Sequence, residues 1–277
     1  DKGMVSRKQA VKSGEIYQVS VKGETVHFSQ KDKIQLKPEA VKDAAASVKD
    51  GEVTITWNTD AEEISGTKIL RKDYTGKQTE VATVEKGTNQ YVDRASDSGI
   101  YTYQLVNMDK SGFYGSDEVT TNAVVASEHT ENNDRINVAY KRFASVSGGT
   151  QASYPGSNMV NGNLSDFMVS NEKPSAETPV ELEIDLGGSY PIDSIEINPR
   201  TENKGYGPKE VQVAYEDESG AWQTLPQSYT LEAKAAKTIS FDKITASKVK
   251  IIVKASYSAT NTQVCELKVW KADESPD

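Results

Sequence analysis

Few side chains in this chain could carry covalent or acid–base chemistry. The sequence contains one cysteine, Cys265, and two histidines, His27 and His129. Thiol catalysis needs a neighbouring base, whereas Cys265 lies in an apolar run with no histidine near it in the sequence. We therefore expect a buried structural thiol at this position. Two histidines are also too few to build a zinc site alone.

Carboxylates are abundant, with 41 Asp and Glu residues, but they are scattered along predicted strand surfaces. This pattern is typical of a solvated face, and no pair stands out as a general acid with its partner base. We therefore expect this chain to be non-catalytic by itself. The net charge of -9 disfavours nucleic acids and anionic membrane surfaces, because phosphate binding requires clustered Lys and Arg. A neutral ligand is compatible with this charge.

The elements that must position any site are strands. Short alternating runs separated by Gly, Asn, Asp and Ser predict an all-β protein, as at residues 53–57, 101–105, 181–186 and 249–253. No apolar run approaches the ~18 residues of a membrane-spanning helix. The chain starts without a signal peptide, so we expect a fragment of a longer protein whose export signal or anchor lies outside it.

Two β units are predicted in the first half of the chain. Residues 1–36 contain a predicted hairpin that is too short for its own core, so it completes an upstream domain or packs on the next one. Residues 37–126 predict a seven-stranded sandwich with Trp57 filling its centre. The run that ends at Trp57, the Tyr101-Thr102-Tyr103 triplet and the turn at residues 109–112 resemble a bacterial fibronectin type III domain. This resemblance implies a spacer.

The second half follows a polar segment, residues 127–135, which is a predicted linker short enough to allow contact between the units it joins. Residues 136–272 then present a distinctive order of signals. The order is a first strand after residues 137–141, a Gly/Ser-rich loop at 147–150, a polar loop at 161–170, strands at 180–187 and 192–197, Pro199-Arg200, and further strands at 210–215 and 264–270.

This order resembles the factor 5/8 C-type, or discoidin, superfamily, and within it family 32 carbohydrate-binding modules of bacterial glycosidases. The resemblance implies two β-sandwiches in tandem, fibronectin type III-like and then a discoidin-like jelly roll, preceded by a short β-hairpin. It further implies a secreted or cell-surface bacterial glycoside hydrolase as the parent chain. Fold alone does not determine the ligand.

A structural calcium site also follows from the resemblance. In the family, a loop reading Asp-Gly-Asn-x-x-Thr-x-Trp and a Glu near the chain end supply the oxygen ligands that Ca²⁺ prefers. The matching residues here are Asn161, Asn163, Asp166 and Glu266. Asn161 replaces the usual Asp, Asp166 stands where Thr is usual, and Met168 replaces Trp. The alternative interpretation is a polar Asn-Gly turn that binds no metal.

A sugar-binding face is the second implied site. The candidate residues are Arg200, Glu202, Asn203, Tyr206 and Tyr257. Arg200 matches the family's Pro-Arg motif and would donate to sugar hydroxyls, while Tyr257, Tyr206 or Tyr154 would stack on a pyranose ring. Alternatively, Arg200 caps a strand or pairs with Glu202, and Tyr257 is an ordinary loop tyrosine. Many galactose-binding members carry a histidine after the calcium loop, where this chain reads Met168-Val169-Ser170, so galactose specificity is not carried over.

Three functional hypotheses follow. The first is a non-catalytic module that targets a parent glycosidase to glycans, with the glycan and the parent's catalytic domain as partners. The second is a protein-interaction or adhesion fragment that uses the sandwich edges and has no sugar site. The third is an enzyme in its own right, which would require turnover by this chain alone.

Overall fold

The computed structural model describes residues 15–22, 25–33, 37–95, 97–112, 115–131 and 134–273. Antiparallel strands dominate these residues, which confirms the all-β prediction. In the described part of the chain, no helix is long and apolar enough to cross a bilayer. The strands are β1 (Glu15–Lys22), β2 (Thr25–Lys33), β3 (Lys42–Lys49), β4 (Glu52–Asn58), β5 (Ile64–Lys72), β6 (Gln78–Glu85), β7 (Gln90–Asp93), β8 (Ile100–Asp109), β9 (Val119–Thr120), β10 (Val124–Val125), β11 (Phe143–Val146), β12 (Met168–Val169), β13 (Val180–Pro199), β14 (Pro208–Glu216), β15 (Trp222–Thr230), β16 (Lys237–Ser256) and β17 (Gln263–Lys271).

The hairpin predicted near the N-terminus is present as the antiparallel pair β1–β2. Lys22 pairs with Thr25 at its closed end, and Glu15 pairs with Lys33 at its open end. The predicted turn residues 23–24, and the remainder of the segment at 1–14 and 34–36, lie outside the described residues.

Residues 37–126 form two facing sheets, here called the N-terminal sandwich. One sheet has the order β3-β4-β7, and the other has the order β10-β8-β5-β6 with β9 paired to β8. Trp57 is 2% exposed and lies in the shared core between the sheets, as its position in the sequence predicted. The buried residues of this core are Val41, Ala46, Val53, Ile55, Trp57, Ile69, Tyr101, Tyr103, Leu105, Val124 and Ala126.

A buried charge links the two sheets of the N-terminal sandwich. Asp93 on β7 accepts hydrogen bonds from Arg71 Nη1 on β5 and from the Tyr103 hydroxyl on β8, both at 2.9 Å. Asp93 is 6% exposed and Tyr103 is fully buried, and this burial raises the pKa of Tyr103. One carboxylate oxygen therefore ties three strands together inside the core.

Residues 136–272, here called the C-terminal module, are built on a seven-stranded sheet. Its order is β12-β17-β13-β16-β14-β15, and β11 pairs with β13. β13 and β16 each span 20 residues, and their pairing is interrupted between Asp185 and Tyr190. The two strands that the sequence predicts at 180–187 and 192–197 are therefore one long strand with a break in register. A second core cluster, which runs from Val138 to Val269, fills this unit.

Three segments meet at the start of β17. Val264 pairs with Met168 of β12 and also with Pro199 at the end of β13. Because β12 and β13 lie on opposite sides of β17, the residue before β12, Phe167, and the residue after β13, Arg200, are brought to the same end of the sheet.

Candidate functional site

The guanidinium of Arg200 lies against two aromatic rings. Its Cζ lies 3.8 Å from the ring centroid of Phe167 and 5.5 Å from that of Tyr206. Arg200 Nη1 donates to Gln263 Oε1 at 2.9 Å, and Nη2 donates to the Glu202 carboxylate. The ring contacts restrict the plane of the guanidinium, and its two side-chain hydrogen bonds restrict its rotation within that plane.

A third ring extends this arrangement. Tyr154 stacks on Phe167 with ring centroids 4.6 Å apart and an interplanar angle of 16°, and Tyr154 is 36% exposed. We call the four side chains Tyr154, Phe167, Arg200 and Tyr206 the aromatic–arginine row. The row offers apolar ring surface beside charged N–H donors, a combination suited to a ligand with both C–H faces and hydroxyl groups.

The loop after Arg200 is tightly folded. Tyr206 N donates to Arg200 O at 3.2 Å, and Gly205 N donates to Glu202 O at 2.9 Å. Asn203 adopts a left-handed φ of 54°, and its amide donates to the Tyr206 hydroxyl at 3.1 Å. Glu202 and Asn203 are exposed, so the loop presents an acceptor and an amide beside the row.

Gly205 makes this loop possible. Its φ is +84°, and a Cβ added there would lie 2.2 Å from the carbonyl oxygen of Ala233. Gly205→Ala is therefore expected to displace the loop, lower the free energy of unfolding by about 1–3 kcal/mol, and weaken ligand binding. Thermal denaturation and calorimetric titration measure the two effects.

Gly220→Ala is the matched control, because Gly220 has a similar φ of +80° but its nearest neighbour would be 4.0 Å away. In this variant alanine is forced into a left-handed φ, as in Gly205→Ala, but its Cβ meets no neighbouring atom at close range. Equal losses of stability and binding in the two variants would show that contact with Ala233 is irrelevant.

Tyr257 occupies a different environment from the other candidates. Its hydroxyl donates to Leu231 O at 2.7 Å, and Lys209 Nζ lies 5.9 Å from its ring centroid. The structure thus brings Arg200, Glu202, Asn203 and Tyr206 together, and it places Tyr257 against the β14–β15 side. Its proposed stacking on a sugar stays a prediction.

Sequence reasoning missed two partners of Arg200. Phe167 belongs to the polar loop considered for calcium, and Gln263 is the first residue of β17. Gln263 is 63 residues away from Arg200 in the sequence. The only available signal for Phe167 was a large ring following a polar loop, which does not reveal its contact with Arg200.

The four candidate calcium ligands converge on one loop. Asp166 Oδ2 accepts hydrogen bonds from the side-chain amides of Asn161 at 3.1 Å and Asn163 at 3.0 Å. Gly162 N, within the same loop, lies 3.2 and 3.1 Å from the two carboxylate oxygens of Glu266. The loop and the strand residue Glu266 are therefore adjacent, although they lie 104 residues apart in the sequence.

The loop and Glu266 offer oxygen donors, but both amide oxygens already accept backbone hydrogen bonds, Asn161 Oδ1 from Asn163 N and Asn163 Oδ1 from Ser165 N. Glu266 is fully buried, and burial raises its pKa to about 8, opposed by the Gly162 N–H and by Lys268. A hard divalent cation would stabilise the ionised carboxylate, and amide and carboxylate oxygens are ligands of the type that calcium uses. Within the described residues, no three His, Cys, Asp or Glu side chains are grouped to hold a metal, so amide and backbone oxygens would have to complete the shell.

We propose that this loop and Glu266 bind calcium. In that case calcium is expected to raise the melting temperature of the wild-type chain, and Glu266→Gln is expected to abolish this increase. At a calcium concentration 100 times Kd, linkage predicts about 2.7 kcal/mol of stabilisation. Scanning calorimetry with calcium and with a chelator measures it, and the exposed Glu218→Gln serves as the control. A wild-type melting temperature that changes neither with calcium nor with the chelator would contradict the calcium proposal.

A comparison with protein-family models finds a match within the second half of the chain. Residues 142–267 match the family model of the F5/8 type C domain, which confirms the resemblance to that superfamily. The matched range includes Phe167, Arg200 and Glu266. No curated protein sequence matches this chain.

Several solved structures are similar to the chain. One is the family 32 carbohydrate-binding module of C. perfringens NanJ in complex with galactose, with 22% identity, 46% of this chain and 92% of that chain covered, and a TM-score of 0.41. Another is chitosan-binding module 2 of a chitosanase/glucanase from Paenibacillus sp. IK-5 in complex with chitotriose, with 22% identity, coverages of 48% and 99%, and a TM-score of 0.42. A third is the Streptococcus pneumoniae fucose binding module SpX-3, with 17% identity, coverages of 50% and 98%, and a TM-score of 0.42.

Proposed function

We propose that the C-terminal module binds a glycan at the aromatic–arginine row and performs no chemistry on it. The observation that carries this proposal is the bonded guanidinium of Arg200, which lies against Phe167 and Tyr206. Of its five N–H groups, one is bonded to Gln263 and one to Glu202, so its two Nη atoms each keep one hydrogen for a sugar hydroxyl.

The surroundings of Arg200 suit a sugar in two further respects. The exposed ring of Tyr154 offers a flat surface for the C–H face of a pyranose. Glu202 and Asn203, which are both exposed, supply an acceptor and an amide in the same loop. A neutral glycan also avoids the electrostatic penalty that a polyanion would meet at a chain of net charge -9.

The identity of the sugar is expected to differ from that of histidine-bearing relatives. Ser170, in the segment where many of them carry histidine, is fully buried and donates its hydroxyl to Glu172 O. It also accepts a hydrogen bond from Thr262 N. Ser170 therefore supports the loops from inside and leaves specificity to the row and to Glu202 and Asn203.

We further propose that the chain is part of a secreted or cell-surface bacterial glycoside hydrolase, which the module targets to glycans. In this proposal the N-terminal sandwich is a fibronectin type III-like spacer, and the catalytic domain lies elsewhere in the parent chain. The environment of Cys265 supports a non-catalytic chain, because the thiol is buried and burial raises its pKa. A nucleophilic cysteine needs an accessible thiolate, and both the burial and the raised pKa of Cys265 oppose this.

A glycan array followed by calorimetry tests the proposed function. The whole chain is expected to bind a small set of glycans, and incubation with those glycans is expected to yield no cleavage products by chromatography. A blank array together with capture of a specific protein partner would favour the adhesion hypothesis instead. Release of sugar by the purified chain would favour the enzyme hypothesis.

A further inference from the structure

We infer that the N-terminal sandwich and the C-terminal module are fixed to each other by a joint, so that the chain moves as one rigid body. We define the joint by Tyr74, Ile100 and Val125 of the N-terminal sandwich and Lys141 and Gly187 of the module. Two domains joined by a linker are expected to move independently unless their interface is well packed. The contacts across this joint indicate such packing.

Ile100 is the apolar centre of the joint. It is fully buried, yet it belongs to neither of the two core clusters. A Cβ added to Gly187 would lie 2.8 Å from Ile100 Cδ1 and 2.9 Å from Val125 Cγ2. The glycine backbone of the module therefore sits directly on two aliphatic side chains of the N-terminal sandwich, and Ile100 is buried by the module.

Tyr74 and Lys141 add contacts on either side of Ile100. Tyr74, from the β5–β6 turn, packs against the core of the module. Ile100 N donates to Lys141 O at 3.0 Å, and Lys141 Nζ lies 2.6 Å from the Asp97 carboxylate. Lys141 adopts a left-handed φ of 50°, a conformation that a non-glycine residue keeps only where its surroundings hold it.

Arg142 connects the two module segments that form the joint. Its side chain is fully buried, and it donates through Nε to Leu186 O at 3.0 Å and through Nη1 to Tyr140 O at 2.7 Å. These carbonyls belong to the neighbours of Gly187 and Lys141. Its Nη2 has no hydrogen-bond partner, so the Nε and Nη1 bonds are the ones that connect the two contact points of the joint.

The predicted linker is also docked on the module. Lys271 Nζ donates to Glu128 at 2.8 Å, His129 stacks on Tyr140 at 3.6 Å, and Lys268 pairs with Glu131. Only Ala126 and Ser127 separate β10 from Glu128. Too little chain is left between the last strand of one unit and the first docked residue of the other for the units to separate freely.

Residual dipolar couplings and ¹⁵N relaxation on the whole chain test this inference. One alignment tensor and one common tumbling time are expected for both units of the wild-type chain. Two different tensors in the wild type would overturn the inference, whatever the fate of any variant.

The Ile100→Asp variant locates the joint. A buried aspartate would separate the units while each core is retained. Two tensors are therefore expected, together with tumbling times shorter than the wild-type value, because each unit would then move by itself. Val92→Asp is the control, since Val92 is 38% exposed on the same sandwich and is expected to keep one tensor. A single tensor in folded Ile100→Asp would show that the joint is not at Ile100. If this variant does not fold, the number of tensors in the wild-type chain decides the inference alone.

Discussion

Glycan affinity is expected to fall about 30-fold or more when Arg200 is replaced by alanine, equivalent to about 2 kcal/mol for a central binding residue. The substitution removes the hydrogens available to sugar hydroxyls. It also removes the planar group that contacts Phe167 and Tyr206. Isothermal titration calorimetry with an array-selected glycan measures the loss.

Two further variants make this prediction specific. Arg200→Lys keeps the charge but loses the planar fork, so most of the affinity loss is expected to remain. Arg94→Ala removes an arginine whose side chain is 83% exposed in the N-terminal sandwich, and it is expected to leave binding unchanged. Unaltered affinity in a folded Arg200→Ala variant would rule out the aromatic–arginine row as the glycan site.

The free energy of unfolding of the N-terminal sandwich is expected to fall by about 3 kcal/mol in Asp93→Ala. Removing this carboxylate leaves the Tyr103 hydroxyl buried without its acceptor and Arg71 without its counter-ion. Breaking one partner of a buried pair is far more costly than the net contribution of the pair. Urea denaturation followed by the NMR amide signals of β4, β7 and β8 reports on this unit. Tryptophan fluorescence would also contain Trp222 and Trp270 of the C-terminal module.

Glu80→Ala is the matched control for Asp93→Ala. Glu80 forms an ion pair with Lys68 in the same sandwich, but the two side chains are 51% and 34% exposed. Exposed pairs contribute roughly 0–1 kcal/mol. If the two variants lose similar stability, the buried bonds of Asp93 contribute no more than a surface pair.

The strands were predictable because alternation is a local signal. The run at residues 53–57 became β4, and the run at 101–105 lies within β8. The prediction of two separate strands on either side of Gly187 and Gly188 was wrong, because both lie within β13. Glycine marks a place where the backbone can bend, and only the pairing of β13 with β16 shows that the strand continues on the far side.

The candidate sites were predictable only where their contacts are short-range or where the family resemblance supplied them. Arg200, Glu202 and Tyr206 meet because one short loop carries all three. Phe167 and Gln263 come from other strands, and the register of β17 with its two neighbours decides that they flank Arg200. No periodicity in the sequence encodes that register. The adjacency of the Gly162 loop and Glu266 was expected from the resemblance alone.

The burial of Cys265 has a practical consequence for labelling. The sequence has no other thiol, and this one is 7% exposed with a raised pKa, so maleimide reagents should react with it slowly in the folded state. A cysteine introduced on the surface could then be tagged selectively in an otherwise unmodified background. The rate at which Cys265 itself becomes alkylated would report how often the start of β17 becomes exposed by local unfolding.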